Sequence, residues 1–229
     1  VDKFPENIRF NDVPFHLTDP KKNHDKAILT FGSKKVPTVK MRSVGSIPVN
    51  QKADVLWLLH ATAWGGNMMK AAEYEVTYAD GSKTEFSVTN GKDVGDWFNA
   101  KQLPNGKIAW TGKNLLTSST GVYMSPWENP HPEKVIKSIS IKAGLSDCAY
   151  ILLAITTAQK EKGTSGAAGV EKGETIVSFD FSKEPTSKLK VVNRKQRAEI
   201  TADGAKMGKG THLYYFPQKE MKKALYQPF

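Results

Sequence analysis

The sequence predicts an all-β protein, a β-sandwich or jelly roll, and three observations carry that expectation. YEVTYADGSKTEFSV, residues 74–88, alternates apolar and polar side chains on both sides of Asp80-Gly81, the pattern of two strands joined by a tight hairpin. Two nearly continuous apolar runs, DVLWLLH (54–60) and YILLAI (150–155), suit strands buried on both faces. Other short strand-like runs recur between turn residues, as they do along sandwiches.

Taken in order, residues 27–31 (AILTF) read as a short apolar strand. Residues 36–41 carry Pro37, which has no amide to donate, so they read as an edge or irregular segment. In the run from Asp54, period-two alternation places Val55, Trp57 and Leu59 on one face. Leu56, Leu58, His60, Thr62 and Trp64 fall on the other. Residues 68–72 read as a turn of helix. Residues 74–78 and 84–88 form the hairpin, with Gly81 taking the positive φ of a type I′ turn. Residues 135–141 (VIKSISI) alternate, with Val135, Lys137, Ile139 and Ile141 opposite Ile136, Ser138 and Ser140.

The composition shifts at residues 158–175, AQKEKGTSGAAGVEKGET, where no large apolar residue remains. This reads as a linker or long loop. Strands are expected again at 176–181, 189–192, 198–201 and 212–216, and a short helix at 218–224. The organisation expected is a jelly-roll β-sandwich over 1–157, the linker, and a β extension over 176–229. That extension is too short for a core of its own and is expected to pack on the first domain.

The 229 residues suffice for one large β domain. The single cysteine, Cys148, excludes an intrachain disulfide and lies in an apolar stretch as a small buried hydrophobe. The net charge of +10 reads by default as a solvated basic surface, and more sharply as one that meets a polyanion, nucleic acid or acidic polysaccharide. No nucleic-acid-binding motif accompanies it, so polysaccharide is the stronger candidate. No apolar run reaches the roughly 18 residues of a membrane span. The first residues lack the layout of a signal peptide, as they would in a mature secreted chain.

Trp64, Trp97 and Trp127 sit beside turn-forming residues, and Trp110 lies two residues before Gly112. Trp57, inside an apolar strand, reads as core. Such a tryptophan can simply cover the end of the sandwich, or can stack on the C–H face of a sugar while polar neighbours bond its hydroxyls. The neighbours here are Asp96, in VTNGKDVGDWF, and Asn129 and His131, in SPWENPHPEK. His60 belongs to the same candidate set, although its place after two leucines also suits a hydrogen-bonded core histidine. Asp19, Asn23 and Asp25 could supply oxygen ligands to a structural Ca²⁺, or could serve as turn and capping residues. The five histidines are dispersed, and no nucleophile elbow, zinc-protease, P-loop or dinucleotide motif is present. Glu73, Glu75, Asp96 and Glu128 do not single themselves out as a catalytic pair.

The succession VPFHLTDP, KADVLWLLHATAWG, YEVTYADGSKTEFSVTNGKDVGDWF, SPWENPHPEKVIKSISI and YILLAITT resembles galactose-binding-domain-like jelly rolls. These occur as accessory modules of secreted bacterial enzymes that degrade polysaccharides. The resemblance covers residues 10–157 and implies a sandwich of about eight core strands, often with a structural Ca²⁺. It implies, by analogy, a non-catalytic carbohydrate-binding module of a secreted, periplasmic or cell-surface protein. With the basic charge, the expected ligand is an anionic glycan. Two further readings stand beside this one: a structural accessory domain packed on a catalytic domain of the same larger protein, and a polysaccharide hydrolase or lyase.

Overall fold

The computed structural model describes residues 7–10, 12–19, 21, 27–113, 117–144, 146–160, 170–177, 198–201 and 204–207. The strands are β1 (Asn7–Phe10), β2 (Val13–His16), β3 (Leu29–Thr30), β4 (Ser43–Gln51), β5 (Val55–Ala63), β6 (Lys70–Tyr78) and β7 (Lys83–Thr89). They continue with β8 (Lys107–Gly112), β9 (Thr120–Glu128), β10 (Ile136–Ala143), β11 (Ala149–Lys160), β12 (Val170–Val177), β13 (Ala198–Thr201) and β14 (Gly204–Met207). No α-helix occurs among the described residues. The chain is all-β.

Two antiparallel sheets build the body. One has the order β4-β10-β6-β7, the other β12-β11-β5-β9-β8, with β3 pairing on β11. Their facing sides share one apolar core. Val44, Ile47, Tyr74, Val76, Val88, Ile139 and Ile141 enter it from the first sheet, and Leu56, Leu58, Tyr123, Tyr150, Leu152 and Ile155 from the second. A second cluster lies on the other face of the larger sheet. There Leu59, Val122, Met124, Leu153 and Ala154 are covered by Val13 and Phe15 of the β1–β2 hairpin. The arrangement is that of a β-sandwich with one outer face capped.

The alternation expected along β5 holds. Leu56 and Leu58 point into the inter-sheet core, while Leu59 and the half-buried Trp57 join the outer cluster. Opposite them, β11 carries a register shift between Leu152 and Ala154. This bulge puts both Leu153 and Ala154 on the outer side.

Several expectations are corrected. Residues 68–72 contain no turn of helix; β6 begins at Lys70, and from Ala72 onward its side chains show period-two burial. Residues 36–41 are irregular, one of the two alternatives expected for them, and the edge position belongs instead to β4 with Pro48, whose missing amide an edge tolerates. Strands β4, β8 and β9 were not foreseen, because their apolar residues are interrupted by Gly, Ser, Thr or Pro. In β10 the register shifts between Ile136 and Ser138, so Ile136 turns to the core beside Ile139 and Ile141. Residues 170–175, read as linker, belong to β12, which pairs along β11 from Lys160↔Val170 to Ile155↔Val177. The strand expected at 198–201 coincides with β13, which pairs with β14. Those expected at 189–192 and 212–216, and the helix at 218–224, lie outside the described residues.

The β6–β7 turn also differs in type. Gly81 has φ 86° while Asp80 does not adopt positive φ, and Gly81 N donates to Tyr78 O (3.0 Å) and Tyr78 N to Ser82 O (2.9 Å). This is a three-residue connection ending in a left-handed glycine, not a type I′ turn. A Cβ on Gly81 would meet nothing within 4 Å, so only the backbone conformation resists substitution. Gly81→Ala is expected to lower stability by about 1–2 kcal/mol, read as a lowered urea midpoint with an unchanged m-value.

Candidate functional site

Strand β5 pairs with β9 only from Val55↔Glu128 to His60↔Tyr123. Beyond His60 the two strands separate, and the segment VGDWF, residues 94–98, enters between them. Thr62 N donates to Gly95 O (3.0 Å) and Trp97 N to Thr62 O (2.9 Å) on one side, and Gly121 N donates to Trp97 O (2.9 Å) on the other. Backbone bridges pair Thr62 with Asp96 in parallel and Phe98 with Thr120 antiparallel. The wedge therefore satisfies the amides and carbonyls that the splayed strands would leave open. It also sets Asp96 and Trp97 beside the end of β5.

The residues after β5 turn through a strained loop. Trp64 has φ 57° and Met68 φ 56°, a conformation that costs an L-residue about 1–2 kcal/mol. Asp96 holds its first corner. Its carboxylate accepts the amide of Phe98 (2.9 Å) and the backbone amides of Trp64 and Gly65. Burial pushes this carboxyl above the usual carboxylate range, and those three amides partly oppose the rise. Asn90 holds the rest. Thr62 Oγ1 donates to its Oδ1 (2.6 Å), its Nδ2 donates to Gly66 O (2.7 Å), and its backbone exchanges bonds with Met68 and Met69. A Cβ on Gly65 would lie 2.6 Å from the Asn90 side chain, so only glycine permits this approach.

On this restrained loop stand the two most exposed large apolar side chains of the described residues, Trp64 at 42% and Met68 at 63%. Trp97 is half-buried, with its ring 5.5 Å from Phe98 in an edge-on contact.

The other expected site residues lie elsewhere. Trp127 pairs with Leu56 at the opposite end of β5, about 26 Å from Trp64 at roughly 3.3 Å per residue. Its half-buried ring stacks on Phe86 (4.6 Å), and Phe86 stacks on Tyr74 (4.7 Å). Asn129 is buried. It accepts from Tyr78 Oη (2.6 Å) and donates to Ala53 O (2.7 Å), which ties β6 to the start of β5. His131 sets its ring edge-on to Tyr78 at 5.5 Å, with Nδ1 3.6 Å from Glu133. The three loop tryptophans thus do not share one end of the sandwich. Only Trp64, Asp96 and Trp97 are brought together.

His60 is wholly buried between the sheets. Its Nδ1 lies 2.8 Å from Tyr150 Oη and its Nε2 3.0 Å from Ser125 Oγ, and Tyr150 Oη is 2.8 Å from Tyr74 Oη. Burial pulls its pKa down to about 3, so the ring is neutral and links three neighbouring strands of the larger sheet, while the Tyr150–Tyr74 contact crosses to the other sheet. Burial likewise raises Tyr74, Tyr150 and the thiol of Cys148, the last to about 12. Cys148 is therefore a protonated core residue.

Of the three expected calcium ligands only Asp19 is described, and its carboxylate accepts the amide of Lys21 (2.9 Å). This is the turn-forming use of an aspartate. Asn23 and Asp25 lie outside the described residues. Among the described residues no three His, Cys, Asp or Glu side chains converge as metal ligands.

Sequence reasoning missed Asn90 and Met68. The triplet Thr89-Asn90-Gly91 has only the composition of a turn, and the fold alone shows that the amide of Asn90 faces a loop 24 residues earlier. No protein-family model, curated protein or solved structure is significantly similar to this chain.

Two outcomes follow from this geometry. Asn90→Ala leaves Thr62 Oγ1 and Gly66 O without their partner, which is expected to cost about 2–3 kcal/mol in a thermal or urea melt. His60 gains a proton near pH 6.5 when unfolded but only near pH 3 when folded, so the unfolded state binds more protons between those values. Stability should fall as pH drops through that window, by up to about 1.4 kcal/mol per pH unit from this site. Urea midpoints from pH 7 to 4 measure the slope, and His60→Phe should flatten it.

Proposed function

We propose that this chain is a non-catalytic carbohydrate-binding module that stacks a sugar ring on Trp64. The observation that supports this reading is the presentation of that side chain. A large aromatic is 42% exposed on a backbone held at positive φ by Asp96 and Asn90. Strain of this kind at a surface aromatic is a mark of functional positions. A backbone fixed in advance leaves less entropy to lose when a ligand covers the ring.

In this reading the sandwich is a jelly roll of the galactose-binding-like type, and the module serves a secreted bacterial protein that acts on polysaccharide. Asp96 keeps a positioning role, since its carboxylate is engaged by backbone amides. Trp97 flanks Trp64, while Trp127, Asn129 and His131 stabilise the far end.

Exposure of Met68 beside Trp64 favours a second reading, in which the loop packs on a neighbouring catalytic domain without binding glycan. An adaptable thioether suits a protein surface better than a sugar. The two readings separate experimentally. Under the carbohydrate reading, affinity electrophoresis against a panel of soluble polysaccharides retards the chain, and Trp64→Ala weakens retardation at least tenfold. Met68→Ala leaves it nearly unchanged. Under the packing reading no polysaccharide retards it.

Strain adds a sharper outcome. Trp64→Gly removes the left-handed penalty, so stability should hold level or rise by up to about 1 kcal/mol while glycan binding is lost. A stability loss above about 2 kcal/mol would show instead that the ring itself holds the fold.

A further inference from the structure

We infer that the glycan met at the Trp64 end is anionic, carrying carboxylate or sulfate groups that the surrounding lysines neutralise. This rests on the carbohydrate reading of Trp64 and adds the chemical class of its ligand. Its basis is the division of charge between the two ends of β5.

At the Trp127 end the described charges largely balance: three bases are paired with acids, and the exposed Glu85 and Glu133 offset the exposed Lys52 and Lys137. Lys83 pairs with Glu75 (3.0 Å), Lys134 with Asp80 (2.8 Å) and Lys160 with Glu128 (2.5 Å). The opposite end is different. The turns beyond β3, β7 and β8 carry Lys34, Lys35, Lys92, Lys101 and Lys113, all exposed. None has a carboxylate partner within 4 Å among the described residues. Only Lys70 pairs there, with Glu73 (2.6 Å).

Two acids of that end are turned inward. Asp93 is buried and accepts the amide of Thr89 (2.9 Å) and the side chain of Asn105 (2.7 Å). Asp96 is engaged by Phe98 and by the loop amides. Glu73, exposed and paired with Lys70, and the half-buried Asp147 are the other carboxylates of that end among the described residues. Among the described residues, the acids that build the loops therefore leave these lysines unopposed at the surface, and the field of those residues there is positive.

The cations and the aromatic also distinguish a sugar acid from nucleic acid. Arg42 is occupied by the carbonyls of Gly32 and Ser33, so lysine point charges remain, without the planar fork that grips phosphate in two places. Single-stranded nucleic acid is held by successive stacking rings. Here the described residues expose one, Trp64.

The test uses the full chain and two matched polymer pairs: polygalacturonate with its fully methyl-esterified form, and dextran sulfate with dextran. Poly(U) serves as the nucleic-acid control, and affinities are measured at about 20 and about 200 mM salt. The expected result is tight binding to at least one charged polymer, at least tenfold weaker binding to its neutral partner, and loss with Trp64→Ala. Which charged polymer binds separates carboxylate from sulfate recognition. The triple variant Lys34→Gln/Lys35→Gln/Lys92→Gln should weaken binding about tenfold at low salt and reduce its salt dependence. Lys52→Gln/Lys137→Gln, which removes exposed charge from the other end, should change it less than twofold.

Equal binding of charged and neutral partners would overturn the charge assignment and leave the glycan reading standing. Binding to none would overturn both. Charged-polymer binding that survives Trp64→Ala, or poly(U) binding of equal strength, would show a general polyanion surface and overturn the assignment.

Discussion

Strand β5 is buried on both faces, and the remaining architecture is organised around that constraint. Leu56 and Leu58 face the inter-sheet core and Leu59 the outer cluster, each contributing about 1.5–3 kcal/mol by leaving water. A strand in that position needs neighbours on both edges for its backbone and cover on both faces for its side chains. Strands β11 and β9 supply the edges. The four-stranded sheet covers one face and the β1–β2 hairpin the other.

The same strand carries the polar connection through the core. A neutral imidazole between two hydroxyls joins Ser125 of β9, His60 of β5 and Tyr150 of β11, and Tyr150 passes the contact to Tyr74 across the sheets. Buried polar groups are tolerated when each finds a partner, and a fully satisfied network favours one packing over its alternatives. A serine hydroxyl at 3.0 Å from a histidine nitrogen also has the spacing of a nucleophile and its base. Burial separates the two roles, since both side chains are closed off from solvent and a histidine whose pKa burial lowers to about 3 is a poor proton acceptor.

Where β5 ends, the sheet must open, and the 94–98 wedge turns that opening into a rigid corner. Asp96 and Asn90 use their side chains on backbone groups of the following loop. That investment holds Trp64 outward in a conformation it would not choose alone. The arrangement accounts for an exposed aromatic in terms of forces inside the protein, and it leaves the lysines of that end as the outermost charges.

The all-β class, the β6–β7 hairpin and the two faces of β5 were legible in the sequence. Each follows from period-two burial or a turn glycine, and those are local properties of the chain. The core placement of His60 was legible too, because two leucines share its face. Bulges at Ile136 and Leu153, the strand at 170–175 and the edge position of β4 were not, since they depend on which partner each strand finds. The candidate site shows the same division. Sequence marked Trp64, Trp97 and Trp127 equally, as aromatics beside turns. Tertiary structure separated them, because strand pairing puts Trp127 opposite Leu56 and the wedge puts Trp97 beside Thr62. Residue order sets what each segment can bury, and long-range pairing alone decides which segments meet at an end.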